Sequence, residues 1–385
     1  MTPAFPAHSS DLADFCWPLP ARPGDPLDAV DTPALLLDLD AFDRNLARMQ
    51  GAADAAGVAL RPHAKAHKCP AIAQAQIARG ARGICCQKTS EALPFLQAGI
   101  TDIHISNEVV GPVKARRLAS MARHGRFSVC VDDLSQVEIL AHAAAEEGSR
   151  LGVFIEVNIG QDRCGVNDAA AALRLLEAIS KHAQLAFAGL QAYHGGLQHL
   201  RSRSERRLAV ARASVRTTAF VDALAGRGVP CPTVTGAGSG SVEFDLAEGV
   251  YTEVQPGSYV FMDGDYGRNE HGQLQFEHSL FVAAAVMSDR RDGQVVVDAG
   301  LKSLAVDSGL PSVWGEPSLR YAAANDEHGI VQRVEAGAPR PALGSLLRLV
   351  PGHCDPTLNL HDHLVGYRAD RVECVWHVAA RGMSR

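Results

Sequence analysis

No uninterrupted apolar stretch in this 385-residue chain approaches the roughly 20 residues that a membrane-spanning helix needs, which excludes a helical bilayer span. The opening residues, MTPAFPAHSSDLADFCWPLP, lack a basic start followed by an apolar core, so a soluble, cytoplasmic protein is expected. No CxxC spacing occurs among the nine cysteines, which removes the usual structural zinc patterns. They are odd in number and sit mostly in apolar runs such as GICCQ and FSVCVD, so buried reduced thiols are expected. Nor is there a basic excess: 37 Lys and Arg against 43 Asp and Glu give a formal charge of -6, with the positive charges scattered. No nucleic-acid partner is expected from such a field. With 46% hydrophobic and 21% charged residues, the composition is globular and long enough for one large domain and a smaller one.

Short apolar runs alternate with amphipathic helical stretches from residue 34 to about 240. The strands expected are ALLLDL, VALRPHA, GICCQK, DIHISN, FSVCVD, GVFIEVNIG, AFAGLQAYHG and PTVTGAG, separated by helical patterns such as PAIAQAQIARGA and SQVEILAHAAAEEG. Asp40 is the expected N-cap of the helix after ALLLDL. Strands apolar nearly throughout, joined by helices, predict an α/β fold with a (β/α)8 barrel. After Tyr266 the texture changes to FVAAAVMS, QVVVDAG, SLLRLVP, HLVGY and RVECVWHV, strands punctuated by Gly, Pro and Asp. The expected organisation is a barrel over residues 28–265 and a mostly β domain over 266–385, which the Pro-rich residues 1–27 join or leave free.

Active sites of such barrels lie at strand ends, so polar residues there are singled out. RPHAKAHKC ends the second run in Arg61, His63, Lys65, His67 and Lys68. If the strand stays extended, alternation puts the first four of the even-spaced set, Arg61, His63, Lys65 and His67, on one face. An amine among cations and partly desolvated has its pKa lowered, which suits a Schiff base with an aldehyde cofactor. A lone lysine in a loop would be read as solvated; the neighbours shift this one toward function. TGAGSGS, residues 235–241, offers backbone N–H groups and hydroxyls to a phosphate, although a bare Gly-rich turn is more often only a turn. An amine opposite a phosphate cradle points to pyridoxal 5'-phosphate. In GHCDPTLNLHDH, His353 and Asp355 can reach one divalent ion of the Mn²⁺, Mg²⁺ or Zn²⁺ type, with His361, Asp362 and His363 near.

RPHAKAHKC, GICCQKTSEALPF, DIHISNEVVGP, GLQAYHG, GSGSVEFD, NDEHG and HCDPTLNLHD together resemble the fold type III pyridoxal phosphate enzymes, whose barrel and β-domain plan is that of alanine racemase. More closely, the chain resembles the metal-dependent D-threonine aldolases, with D-serine dehydratase and 3-hydroxy-D-aspartate aldolase as relatives. The resemblance implies that Lys65 is the Schiff-base lysine, and that Gln87 and Arg163 lie near the cofactor's phenolic oxygen. It implies that Tyr193, Thr235, Gly238, Ser239, Gly240 and Tyr259 hold ring and phosphate. It further implies that His353 and Asp355 bind the metal, usually Mn²⁺, with His199 beside it as base, in a homodimer. Where racemases place an arginine toward the pyridine nitrogen, this chain has Gln255 in EVQPGSY, which argues against racemisation.

The implied reaction is cleavage of a D-β-hydroxy-α-amino acid, a small-molecule substrate, to glycine and an aldehyde. D-serine dehydratase, 3-hydroxy-D-aspartate aldolase and a non-catalytic pyridoxal phosphate carrier are the rivals, with Arg61 or Lys302 as candidate partners for a distal carboxylate.

Overall fold

The computed structural model describes residues 18–335, 337 and 339–385. Eight parallel strands form the first sheet: Ala59–Leu60, Ile84–Cys86, Asp102–Glu108, Arg126–Val131, Leu151–Glu156, Leu185–Ala192, Val234–Gly236 and Glu253–Val254. From the second strand onward each pairs with the next, and the last pairs back onto the first through Ala59↔Glu253 and Leu60↔Val254. Between the first and second strands the pairing shrinks to a single parallel bridge, His63↔Cys85. Helices such as Pro70–Ala78, Leu134–Glu146 and Arg203–Ala225 cover the outside, so the barrel expected from the alternating pattern is present.

One of its strands differs from the expectation. Ala34–Asp38, within ALLLDL, lies in the second sheet, antiparallel to Leu280–Ser288 and parallel to His363–Arg368. A strand buried on both faces reads identically in a barrel and in the centre of another sheet, so composition could not assign it. The eighth barrel strand is instead the two-residue Glu253–Val254, too short to show any period. The helix after Ala34–Asp38, Leu39–Ala55, is capped by Asp38, whose side chain accepts from Asp40 N and Ala41 N; Asp40 sits in the first turn. That helix turns Phe42, Leu46, Met49 and Ala53 inward at helical spacing, into a core continuous across both sheets.

The second sheet has nine strands, including all five expected beyond Tyr266, and is mostly antiparallel. Leu319–Ala324 and Gly329–Arg333 form a further hairpin on it. Residues 20–31 pack along its edge, where Gly24 N donates to Val372 O at 2.8 Å and Leu27 N to Asp370 O at 2.8 Å. Residues 1–17, which include Cys16, lie outside the described residues; the eight described cysteines are free thiols, five of them buried.

Candidate active site

The chain leaves strand Ala59–Leu60 extended as far as His63, then folds into the 3-10 turn Ala64–Ala66. The turn overturns the expectation that Arg61, His63, Lys65 and His67 share a face. Arg61 is buried beneath the site, ion-paired to Asp102 Oδ1 at 2.7 Å and Glu253 Oε1 at 3.0 Å. His67 is fully buried with its ring set edgewise against Phe95, and Lys68 pairs with Glu91 Oε1 at 3.0 Å. Only His63 and Lys65 of the five bases line the cavity. His63 Nε2 lies 2.9 Å from Ser106 Oγ and 3.1 Å from Gln87 Oε1, and burial pulls its pKa down to about 3, so its ring is neutral.

Lys65 Nζ donates to Asp355 Oδ2 at 2.6 Å, joining the barrel to the second sheet's helix Cys354–Leu358. The Asp355 carboxylate raises the amine's pKa above its ordinary value, against the opposing effect of burial. This reverses the lowered pKa expected, because the cations assumed to surround Lys65 point elsewhere and its charged neighbour is an anion. Burial works the other way at Asp355, yet the Lys65 ammonium holds that carboxyl well below the usual carboxylate range. Asp355 is fixed further by Ser258 Oγ, which donates to its Oδ1 at 3.3 Å.

Around Lys65 lies a cavity of about 330 Å³. One wall is Tyr193, with the Arg163 guanidinium over its ring at 5.3 Å and Arg163 Nη2 3.6 Å from Glu156 Oε1. Opposite, Gln255 and Gln191 are doubly hydrogen-bonded side chain to side chain, at 2.9 and 3.3 Å, and Gln255 Nε2 also donates to Thr235 Oγ1 at 2.7 Å. The wall at Gln255 is therefore neutral, as its sequence position suggested. Thr235 is fully buried, does not line the cavity, and passes the network on to Glu253 Oε1 at 2.9 Å. Tyr259 also points away: its hydroxyl accepts from Gln76 Nε2 at 3.1 Å, and only its backbone N–H reaches the Gly-rich loop, at Ser239 Oγ, 2.9 Å.

In that loop Gly238 and Ser239 line the cavity, and the Ser239 N–H has no backbone acceptor among the described residues. Gly240 does not line it. Its N–H donates to Gln198 Oε1 at 2.9 Å, and a Cβ there would stand 2.4 Å from the Gln198 carbonyl oxygen. Gly240 is thus required by protein packing rather than by approach to a ligand. The lysine, the open Gly238–Ser239 edge, the arginine-backed tyrosine and the neutral glutamines fit a phosphorylated aldehyde of the pyridoxal type.

His353 caps helix Cys354–Leu358 from in front, its Nδ1 2.7 Å from Asp307 Oδ2. His199, in the turn Gly195–His199, places Nδ1 2.5 Å from Asp265 Oδ2 and its ring 5.8 Å from that of Tyr266, a cavity residue. No hydrogen bond or ion pair joins His199 to His353 or Asp355 among the described residues. His353 and Asp355 supply one imidazole nitrogen and one carboxylate, a donor set that fits a divalent ion completed by water. The neighbouring histidines do other work: His361 Nε2 lies 2.7 Å from Ser303 O, Asp362 pairs with Arg381, and the His363 ring faces His377 at 5.6 Å.

Among the described residues, the group of three ligating side chains close enough for one ion is Glu108, Glu156 and Cys164, at the barrel's mouth. Burial, then the neighbouring Glu108, pushes the Glu156 carboxyl up to about 8. Arg163 supplies positive charge at that spot already. Ser106, Ser258, Asp265 and Asp307 were missed as site residues. Ser106 lies on the DIHISN strand at a position alternation could have found, whereas Ser258 and Asp265 sit in helices of one turn and Asp307 in a turn, too short to show any period.

The chain matches two family models and is similar to several full-length proteins. Residues 37–265 match the model of the alanine racemase N-terminal domain, and residues 279–367 that of a putative serine dehydratase domain. The chain is 56% identical to a D-threonine aldolase of Arthrobacter sp. over 97% of this chain and 99% of that protein. It is 42% identical to a 3-hydroxy-D-aspartate aldolase of Paracoccus denitrificans over 95% of this chain and 96% of that one. Its structure is similar to that of D-threonine aldolase from Filomicrobium marinum, with a TM-score of 0.93 and 50% identity, covering 95% of this chain and all of the other.

Proposed function

Because the chain belongs to the family that joins an alanine racemase N-terminal domain to a serine dehydratase-like domain, and within it to the D-threonine aldolases, we propose that Lys65 and Asp355 mark one catalytic centre for cleavage of D-β-hydroxy-α-amino acids to glycine and an aldehyde. The observation that carries this reading is the 2.6 Å approach of the Lys65 amine to Asp355, which sets a candidate metal carboxylate against the candidate Schiff-base lysine that lines the cavity.

Pyridoxal 5'-phosphate supplies an aldehyde and an electron-withdrawing ring when bound, and a divalent ion supplies a Lewis acid. Lys65 holds the aldehyde carbon. Gly238 and Ser239 present backbone to the phosphate, and Tyr193 with Arg163 backs the ring. Gln255 offers the ring a neutral contact, because Gln191 and Thr235 fix its amide. His353 and Asp355 hold the ion. His199, whose Nδ1 is engaged by Asp265, has its Nε2 left to take the proton of the substrate's β-hydroxyl. Manganese as the ion and a homodimer rest on the family resemblance, and a cytoplasmic location completes the reading.

The D-threonine type is favoured over the hydroxyaspartate type by the higher identity to the D-threonine aldolase, 56% against 42%, and the two cations first considered for a distal carboxylate lie away from the cavity. Arg61 is consumed by Asp102 and Glu253 beneath the site, and Lys302 pairs with Glu327 at 2.5 Å on the surface. Neither meets a distal carboxylate.

The test is product identification from D-threonine, L-threonine, D-serine and 3-hydroxyaspartate, with and without EDTA. Glycine and acetaldehyde from D-threonine, lost with EDTA, are expected. Ammonia and a 2-oxo acid in their place would overturn the reading in favour of a dehydratase.

A further inference from the structure

His353 is held twice. Its carbonyl accepts from Thr357 Oγ1 at 2.7 Å, which fixes the backbone where helix Cys354–Leu358 begins, and its ring meets Asp307 Oδ2 at 2.7 Å through Nδ1. A ring nitrogen facing a carboxylate carries a proton, so Nε2 is left with its lone pair. No hydrogen bond among the described residues engages His353 Nε2. Asp307 comes from a different segment, 46 positions earlier in the chain, and Ser308 Oγ, which lies 3.2 Å from Asp307 Oδ2, also stands 3.5 Å from His353 Nδ1.

The plain alternative is a surface ion pair. Asp307 is 53% exposed and His353 30%, and a pair so exposed adds little to stability. Stability therefore does not explain why the contact is made at Nδ1, with the ring turned so that the other nitrogen stays open. Ligating histidines characteristically give their second N–H to a carboxylate, which fixes the tautomer and makes the ligating nitrogen more basic. The geometry at Asp307 has that form. His199 and Asp265 repeat it on the barrel side at 2.5 Å, but there Arg201 and Arg268 also hold Asp265, so that carboxylate has other partners. Asp307 has no ion-pair partner besides His353 among the described residues.

We propose that Asp307 is a positioning residue for the metal centre, fixing His353 with its proton on Nδ1 and Nε2 open to a divalent ion shared with Asp355. The inference rests on the reading of His353 and Asp355 as metal ligands, and the experiment separates the two. Chelator-treated full-length protein is titrated with Mn²⁺ alone, following free Mn²⁺ by electron paramagnetic resonance, for wild type, Asp307→Ala, Asp307→Asn, Asp307→Glu and His353→Ala. Thermal midpoints of the metal-free proteins check the fold.

Wild type should bind one Mn²⁺ that His353→Ala loses. Asp307→Ala should bind it about 10- to 100-fold more weakly, with Asp307→Asn between and Asp307→Glu recovering part of the loss, all at an unchanged metal-free midpoint. Wild-type affinity in Asp307→Ala beside a failing His353→Ala would overturn the role of Asp307 and leave the metal site standing. Wild-type affinity in His353→Ala, or no binding by wild type, would overturn the metal reading and the inference with it. A metal-free midpoint that falls in step with affinity would also overturn it, as the mark of a merely structural contact.

Discussion

RPHAK singled out Lys65 as the candidate amine, and the fold places it in the wall of the cavity, but its electrostatic setting was not legible. Alternation assumes a strand, and the 3-10 turn Ala64–Ala66 breaks the strand just before the lysine, sending Arg61 and His67 away from it. The partner that sets its charge, Asp355, is 290 positions distant, a separation over which sequence periodicity carries no information. Glu156 is a second residue whose state only the fold reveals. Its carboxyl moves from 4.5 to about 8 on burial beside Glu108. A carboxyl whose folded pKa is raised favours the folded state while protonated, and the penalty for its buried charge grows as pH rises from its unfolded pKa to its folded one. Stability should therefore fall across that window in wild type. Glu156→Gln has nothing to ionise there, so its melting midpoint should gain on wild type between about pH 5 and about pH 9. A midpoint difference that stays constant with pH would show that Glu156 is ionised throughout.

At the scale of elements, seven of the eight barrel strands and five strands of the second sheet follow from apolar runs bounded by turn residues. The misplaced one, Ala34–Asp38, has neighbours on both edges and both faces covered, so nothing local distinguishes its sheet. Glu253–Val254 closes the barrel with two residues, and such a strand exists because its neighbours are in place rather than by its own preference. The Gly-rich loop was found from composition, yet the reason for Gly240 was not: the residue faces Gln198, not the cavity. Gly240→Ala should push its Cβ into the Gln198 carbonyl, costing about 1–3 kcal/mol of stability. Because Gly238 and Ser239 share the loop, cofactor retention should weaken alongside. Paired melting curves with and without pyridoxal 5'-phosphate measure both, and an unchanged midpoint would mean that the loop absorbs the methyl group freely.

The molecule as a whole brings its site together from two sheets that sequence presents in separate stretches. Lys65 and the Gly238–Ser239 edge come from the barrel, and Asp355 from a helix of the second sheet. The C-terminal residues return to the barrel: Ala380 N donates to Lys68 O at 3.0 Å, and Ser90 N to Arg385 O at 2.9 Å. Removing residues 379–385 should loosen the second sheet from the barrel, so that calorimetry resolves two unfolding transitions where the full chain gives one. A single unshifted transition would mean that the tail carries none of the coupling. The claim on which the rest depends is that Lys65 is the cofactor's lysine. Borohydride reduction of the full-length protein loaded with pyridoxal 5'-phosphate, followed by peptide mapping, tests it most directly. A phosphopyridoxyl group on Lys65 alone is the predicted result, and the same group on Lys68 or Lys302, with Lys65 unmodified, would contradict it.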